Sequence, residues 1–147
     1  MAKRAVKITT ENVSKSVPLN ILRIPIGIFF FILGLCGVIR TIDEGPFSLA
    51  PGSSYGVLEI LFGIAEIAAG VIILAGLITI LSRKTMKLVS LLVLVFWLSR
   101  IAVSKFVFGL ARINNGADFT IWLLVLAAEA IIAAALYIFY RSYPSNT

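Results

Sequence analysis

The chain has 147 residues and a formal net charge of +6, and 60% of its residues are hydrophobic whereas 14% are charged. Average globular domains have roughly 45–50% apolar and about 25% charged residues, so this composition excludes a small soluble domain and indicates a chain that lies in lipid. The sequence has no histidine, which excludes histidine-ligated haem, histidine-based metal sites and a Ser-His-Asp triad.

Four apolar runs are each long enough to cross a hydrocarbon core of about 30 Å, which takes roughly 20 helical residues. We therefore predict an all-α, polytopic membrane protein with one four-helix membrane domain over residues 18–140. Its helices are expected at about 18–39, 57–81, 88–108 and 119–140. No short apolar segment is followed by a small-residue cleavage site, so the first run is expected to be a retained helix.

Basic residues alternate between the connections. The tail 1–17 and the link 82–87 are basic, whereas the loop 41–54 carries Asp43 and Glu44. The positive-inside rule then places the tails 1–17 and 141–147 in the cytoplasm and the protein in a bacterial-type cytoplasmic (inner) membrane. This distribution makes anionic membrane lipid, and not nucleic acid, the expected partner of the positive charge.

The first helix carries a cation and small residues on one face. Arg23, Gly27 and Gly34 share that face at helical spacing, and Arg40 marks the outer end. Cys36 has no second cysteine to pair with, so we interpret it as a small buried side chain. The loop that follows has turn signals at Gly-Pro and Pro-Gly, and we expect its Phe47 and Leu49 to contact the bundle.

The second helix has a face of glycines and acids. Gly56, Glu59, Gly63, Glu66 and Gly70 follow one another at steps of three and four residues, so all lie along one side of the helix. Small residues let helices approach closely in lipid. The predicted helix-packing residues are therefore Gly63 and Gly70 here, with the two glycines of the first helix.

The later helices are joined by short connections. The link after the second helix is short, which predicts that the second and third helices are antiparallel neighbours. Asp118 or Thr120 is the predicted N-cap of the fourth helix, whose alanines allow close packing.

The ionisable residues of three helices fall at one depth. With a rise of about 1.5 Å per residue, Glu66, Arg100 and Glu129 lie roughly 13, 12 and 15 Å below the outer edge. Glu59 and Lys105 lie about 3–5 Å below that edge and are predicted to pair there, next to the outer rim.

Two interpretations of the deep layer stay open. Intramembrane charges usually pair with one another, so the layer is first a network that fixes helix register. Alternatively, it lines a polar pocket that is open to the outside and binds a proton, a cation or the head group of a ligand. A third and less favoured interpretation is that these charges contact a partner protein.

Two stretches of the chain resemble the DoxX-like family of small four-helix membrane proteins. One has Arg23, Gly27 and Gly34 in LRIPIGIFFFILGL, and the other is GIAEIAAGVIILAGL, with a pattern of Gly63, Glu66, Gly70, Leu74 and Gly76. The resemblance implies a non-catalytic or accessory membrane subunit, often associated with oxidoreductase or quinone-linked systems. It supplies no catalytic residues.

The sequence therefore leads to two functional hypotheses. The first is an accessory or scaffold subunit, acting as a homo-oligomer or within a larger membrane complex, with a quinone or lipid as the ligand of its charge layer. The alternative is a proton- or cation-coupled transporter that uses Glu66 or Glu129, although the cytoplasmic halves of their helices carry no further ionisable residue. We expect no metal site and no intrinsic catalytic activity, because no loop pairs a nucleophile with a base.

Overall fold

The computed structural model describes residues 21–39, 42, 45–49, 56–78 and 82–143, and these residues contain no strand. Helix α1 comprises Ile21–Val38, and a short 3-10 turn at Gly45–Phe47 lies in the loop that follows. Three further helices complete the described chain: α2 is Gly56–Ile78, α3 is Arg83–Ile101 and α4 is Gly116–Ser142. The predicted tail 1–17, the rim residue Arg40 and the end of the tail 141–147 lie outside the described residues.

The segment after α3 is not an ordinary α-helix. It continues directly as a π-helix at Ala102–Gly109 and ends in a 3-10 turn at Leu110–Arg112. With this extension, all four helices are long and apolar enough to cross a membrane. The predicted all-α architecture with four candidate spans is therefore confirmed.

Helices α1 and α2 meet backbone to backbone. A Cβ atom on Gly34 would lie 2.5 Å from both the Gly63 carbonyl oxygen and the Ile67 nitrogen, and one on Gly70 would lie 2.8 Å from the Gly27 carbonyl oxygen. Residue 27 thus lies opposite residue 70, and residue 34 opposite residue 63, so the two helices are antiparallel. All four glycines predicted for helix packing lie at this contact, where a side chain would hold the helices apart.

Helix α3 packs mainly along α4, whereas its contact with α2 is more limited. The α2–α3 contact includes the Met86 side chain, which lies over Gly76 near the α2–α3 connection. The short connection correctly predicts that α2 and α3 touch. Helix α1 meets α2 through its glycines, and α3 packs along α4.

Aromatic side chains fill the centre of the bundle. Phe30 and Trp97 are fully buried, and their rings meet edge to face with centroids 5.0 Å apart. The outer faces are apolar as well, with Val57, Leu124 and Ile131 each at least 70% exposed. Such a surface is typical of a chain that exposes its helices to lipid.

Side-chain caps begin α3 and α4. Ser82 Oγ accepts a hydrogen bond from the Thr85 N–H at 3.2 Å, so α3 begins before residue 88, where we predicted it. The predicted cap of α4 is wrong, because Asn115 is the N-cap and accepts from the Asp118 N–H at 2.9 Å. Asp118 in turn accepts a hydrogen bond from the N–H of Asn114, the residue before the N-cap, at 3.2 Å.

Candidate functional site

Arg100 holds together three parts of the chain. Its Nε contacts Glu66 Oε1 on α2, and its Nη1 lies 3.7 Å from Glu129 Oε1 on α4. These three side chains are at most 1% exposed. The structure thus brings together the residues that depth counting placed in one layer. A planar guanidinium suits this position because its fork of donors can serve two carboxylates at once.

The same guanidinium also reaches the loop between α1 and α2. Arg100 Nη2 donates a hydrogen bond to the Phe47 carbonyl oxygen at 2.7 Å. The Phe47 ring packs edge to face on Phe29, with centroids 5.7 Å apart, and Leu49 is only 2% exposed. The expectation that these loop residues contact the bundle is therefore confirmed, and the loop closes one side of the charge layer.

Lys105 is a fourth member of the cluster. Its Nζ lies 3.3 Å from Glu129 Oε1, and its side chain is 6% exposed. The predicted pairing of Lys105 with Glu59 is therefore wrong, because Glu59 instead accepts a hydrogen bond from Ser48 Oγ at 3.3 Å. Lys105 belongs to the interior and Glu59 to a partly exposed site beside the loop.

The π-helix explains why Lys105 faces Glu129. In an α-helix with 3.6 residues per turn, residues 100 and 105 point roughly 140° apart. The π-helix is wider, with hydrogen bonds from residue i to i+5, so side chains five positions apart come closer in direction. Gly109 ends this segment, where a Cβ atom would lie 2.9 Å from the Ser104 carbonyl oxygen and 3.0 Å from Trp122 Nε1. The absence of a side chain at Gly109 lets the Trp122 indole lie against the π-helix.

Within the described residues, the cluster is electrically balanced. It contains two carboxylates, Glu66 and Glu129, and two cations, Arg100 and Lys105. An unpaired ionisable group at mid-membrane costs roughly 2.5–3.5 kcal/mol on insertion scales, so mutual pairing explains how four such groups can be buried together. With Lys105 as a second cation, each carboxylate of the cluster has a cationic neighbour.

Trp97 connects the cluster to the aromatic core. Its Nε1 donates to the Glu129 backbone carbonyl oxygen at 3.0 Å, and the Arg100 guanidinium lies 5.2 Å from its ring centroid. A cation over an indole face is attracted by the ring quadrupole. Glu129 Oε2 has no hydrogen-bond partner among the described residues, although the Glu129 side chain is fully buried.

A cavity of about 210 Å³ lies between the π-helix, the first turns of α4 and the α1–α2 loop. This is smaller than the roughly 300–1,000 Å³ of pockets for drug-sized ligands, so it suits a head group or a small molecule. Lys105 both lines the cavity and belongs to the charge cluster. The lining combines hydroxyl, charged and apolar side chains, among them Ser48, Ser104, Lys105, Asp118, Ile121, Trp122 and Val125.

The opposite end of the bundle carries a different arrangement of cations. Arg23 is 8% exposed and donates from Nη1 to the Gly76 carbonyl oxygen at 2.8 Å, near the end of α2. Its guanidinium also lies 5.8 Å from the ring centroid of Tyr143, and Lys87 lies 5.3 Å from that of Tyr140. These contacts tie the ends of α1, α2, α3 and α4 together.

No family model, no curated protein and no solved structure matches the chain. The resemblance to DoxX-like proteins consequently stays an expectation from the quoted motifs. Within the described residues, no group of three or more Cys, Asp or Glu side chains is placed to hold a metal ion. The candidate site is therefore defined by its geometry alone: a balanced charge cluster with a small cavity beside it.

Proposed function

We propose that the chain is an integral membrane accessory or scaffold protein that holds a small ligand in the cavity beside its charge cluster. The observation that carries the proposal is the double position of Lys105, which pairs with Glu129 and also lines the cavity. A bound molecule would thereby touch the same ion-paired network that links α2, α3 and α4. Lipid, quinone or another small amphiphile is the class of ligand that such a site in lipid would meet.

The proposed orientation places the cavity on the outer side of a cytoplasmic membrane. Lys84 and Lys87 begin α3 and Arg141 ends α4, at the end of the bundle away from the cavity. Acidic Glu59 and Asp118 lie at the cavity end, in the first turns of their helices. A cytoplasmic location for the basic end, and hence for both termini, follows from the positive-inside rule.

We further propose that the protein acts as a homo-oligomer or as a subunit of a larger complex, with a redox or quinone-linked complex as the partner that the DoxX-like resemblance implies. Transport coupled to protons or cations is the weaker hypothesis. It needs Glu66 or Glu129 to take up a proton or a cation, whereas both carboxylates already have cationic neighbours in Arg100 and Lys105.

The test is extraction of the full chain in mild detergent, followed by mass spectrometry of the small molecules and proteins that remain bound. We expect a retained lipid or quinone in the native protein and its loss in Ile121→Trp, because the larger side chain would occupy the cavity that Ile121 lines. Leu124→Trp is the matched control, since Leu124 lies on the same helix, is 70% exposed and does not line the cavity. A monomer without any bound molecule would contradict the proposal.

A further inference from the structure

The described surroundings of Lys105 leave hydrogen-bond donors available inside the cavity. A lysine ammonium has three N–H donors, and Lys105 is 5% exposed. Among the described residues, its ammonium contacts one acceptor, Glu129 Oε1. An oxygen atom of a ligand in the cavity can therefore accept from the donors that Glu129 does not use.

The surrounding charges disfavour a charged ligand of either sign. An anion would approach Lys105 past Asp118, which lines the cavity, and would lie near the carboxylate of Glu129. Glu59 is a further acid near the cavity, because its carboxylate accepts a hydrogen bond of 3.3 Å from the hydroxyl of Ser48. A cation would meet the Lys105 ammonium itself. The balanced cluster has no charge left to neutralise either one.

The remaining lining suits the uncharged part of an amphiphile. Trp122 offers an indole face, and Ile121 and Val125 offer aliphatic surface on the same side of α4. Ser48 and Ser104 provide hydroxyls at the same cavity. Ile121 is 56% exposed on the outer face of the helix, so an acyl chain can leave the cavity towards lipid at this side.

We propose that the cavity binds an uncharged amphiphile through a carbonyl or ester oxygen that accepts hydrogen bonds from the Lys105 ammonium, while its acyl chain extends past Ile121. This inference rests on the proposed ligand-binding function and specifies the chemical class of the ligand. The source of the oxygen, a glyceride ester or a ketone-bearing lipid, is left to the probes below, because both present the same acceptor.

The test compares three probes that share a twelve-carbon chain, namely methyl dodecanoate, dodecanoate and dodecylammonium. Each is added to the native full chain in nanodiscs of zwitterionic lipid. A fourth probe, 2-tridecanone, separates ketone from ester recognition at the same acyl length. Native mass spectrometry measures the bound fraction at equal mole fractions. We expect each uncharged probe to bind at least about tenfold more tightly than either charged probe. Ile121→Trp should abolish that binding and Leu124→Trp should preserve it.

The outcomes separate the inference from the proposed function. Tighter binding of dodecanoate or dodecylammonium at the site that Ile121→Trp blocks would overturn the uncharged class and leave ligand binding intact. Failure of every probe to bind the native chain would overturn both. Uncharged binding that Ile121→Trp leaves unchanged would place the ligand elsewhere and would overturn the inference.

Discussion

Replacing Gly34 by alanine tests the direct backbone contact between α1 and α2. The new Cβ atom would lie 2.5 Å from two backbone atoms, the Gly63 carbonyl oxygen and the Ile67 nitrogen, whereas ordinary contact begins at 3.4 Å. Neither neighbour can rotate away, so α1 must move from α2 by about 0.9 Å. Overpacking of this kind costs about 1–3 kcal/mol, and the higher helix propensity of alanine offsets at most about 1 kcal/mol.

Gly76→Ala is the matched control, because it makes the same chemical change near the end of α2, where a side chain and not backbone lies opposite. Its Cβ atom would lie 2.7 Å from Met86 Cε, which is the end of a flexible side chain and can move. The propensity gain is shared by both variants, so the difference between them isolates the steric cost. We expect Gly34→Ala to be less stable than Gly76→Ala by about 1–3 kcal/mol.

The measurement is the free energy of unfolding by SDS titration in mixed micelles, followed by far-ultraviolet circular dichroism. A Gly34→Ala variant as stable as the native chain, together with a destabilised Gly76→Ala variant, would refute the contact between the α1 and α2 backbones.

Further variants test the charge cluster and the two tryptophan hydrogen bonds by the same SDS titration. Arg100→Gln should lower the free energy of unfolding by about 3–5 kcal/mol, because Glu66 and Glu129 lose their shared cation. Adding Glu66→Gln should cost less than the sum of the two single changes, and strict additivity would show that the pair does not interact. Trp97→Phe should cost at least about 1 kcal/mol, because it removes the 3.0 Å hydrogen bond to the Glu129 carbonyl. Trp122→Phe, whose bond to the Lys105 carbonyl is 3.4 Å long, should cost less, and the reverse order would contradict this interpretation.

The depth of each ionisable residue below the membrane edge and the helical spacing of residues were sufficient to predict the charge layer. Residues 66, 100 and 129 are each a similar number of helical residues from the end of a run, and a rise of about 1.5 Å per residue converts those counts into one level. The glycines at 27, 34, 63 and 70 were predicted from spacing because small residues at intervals of seven recur on one face. Both features depend on regular α-helix geometry, which the sequence implies directly.

The position of Lys105 could not be predicted in this way. Depth counting assumed that α3 stays α-helical to its end, so it placed Lys105 on the same side as Glu59. The change to i→i+5 hydrogen bonds at Ala102–Gly109 alters side-chain direction without altering the apolar pattern. The signal that could have raised the question is Gly109, which directly follows the predicted span 88–108 and lies four residues after Lys105.

The pairing of helices was also underdetermined. A short link shows that α2 and α3 are adjacent, but it does not show which contact is larger. The glycines of α1 and α2 draw those backbones together, and the bulky Trp97 directs α3 towards α4 through its bond to the Glu129 carbonyl. These preferences arise from how the side chains of different helices fit together. The spacing of apolar residues within one helix carries no information about that fit.

The hydrogen bond from Arg100 to the α1–α2 loop has a consequence for how this chain can vary. The acceptor is the main-chain oxygen of Phe47, which every amino acid possesses, so a substitution at residue 47 leaves that acceptor in place. An insertion or deletion in the loop would move it. As far as this hydrogen bond is concerned, evolution should therefore tolerate a different amino acid at residue 47 more readily than a change in loop length. A segment that looks like an ordinary variable connection is thus constrained by its number of residues.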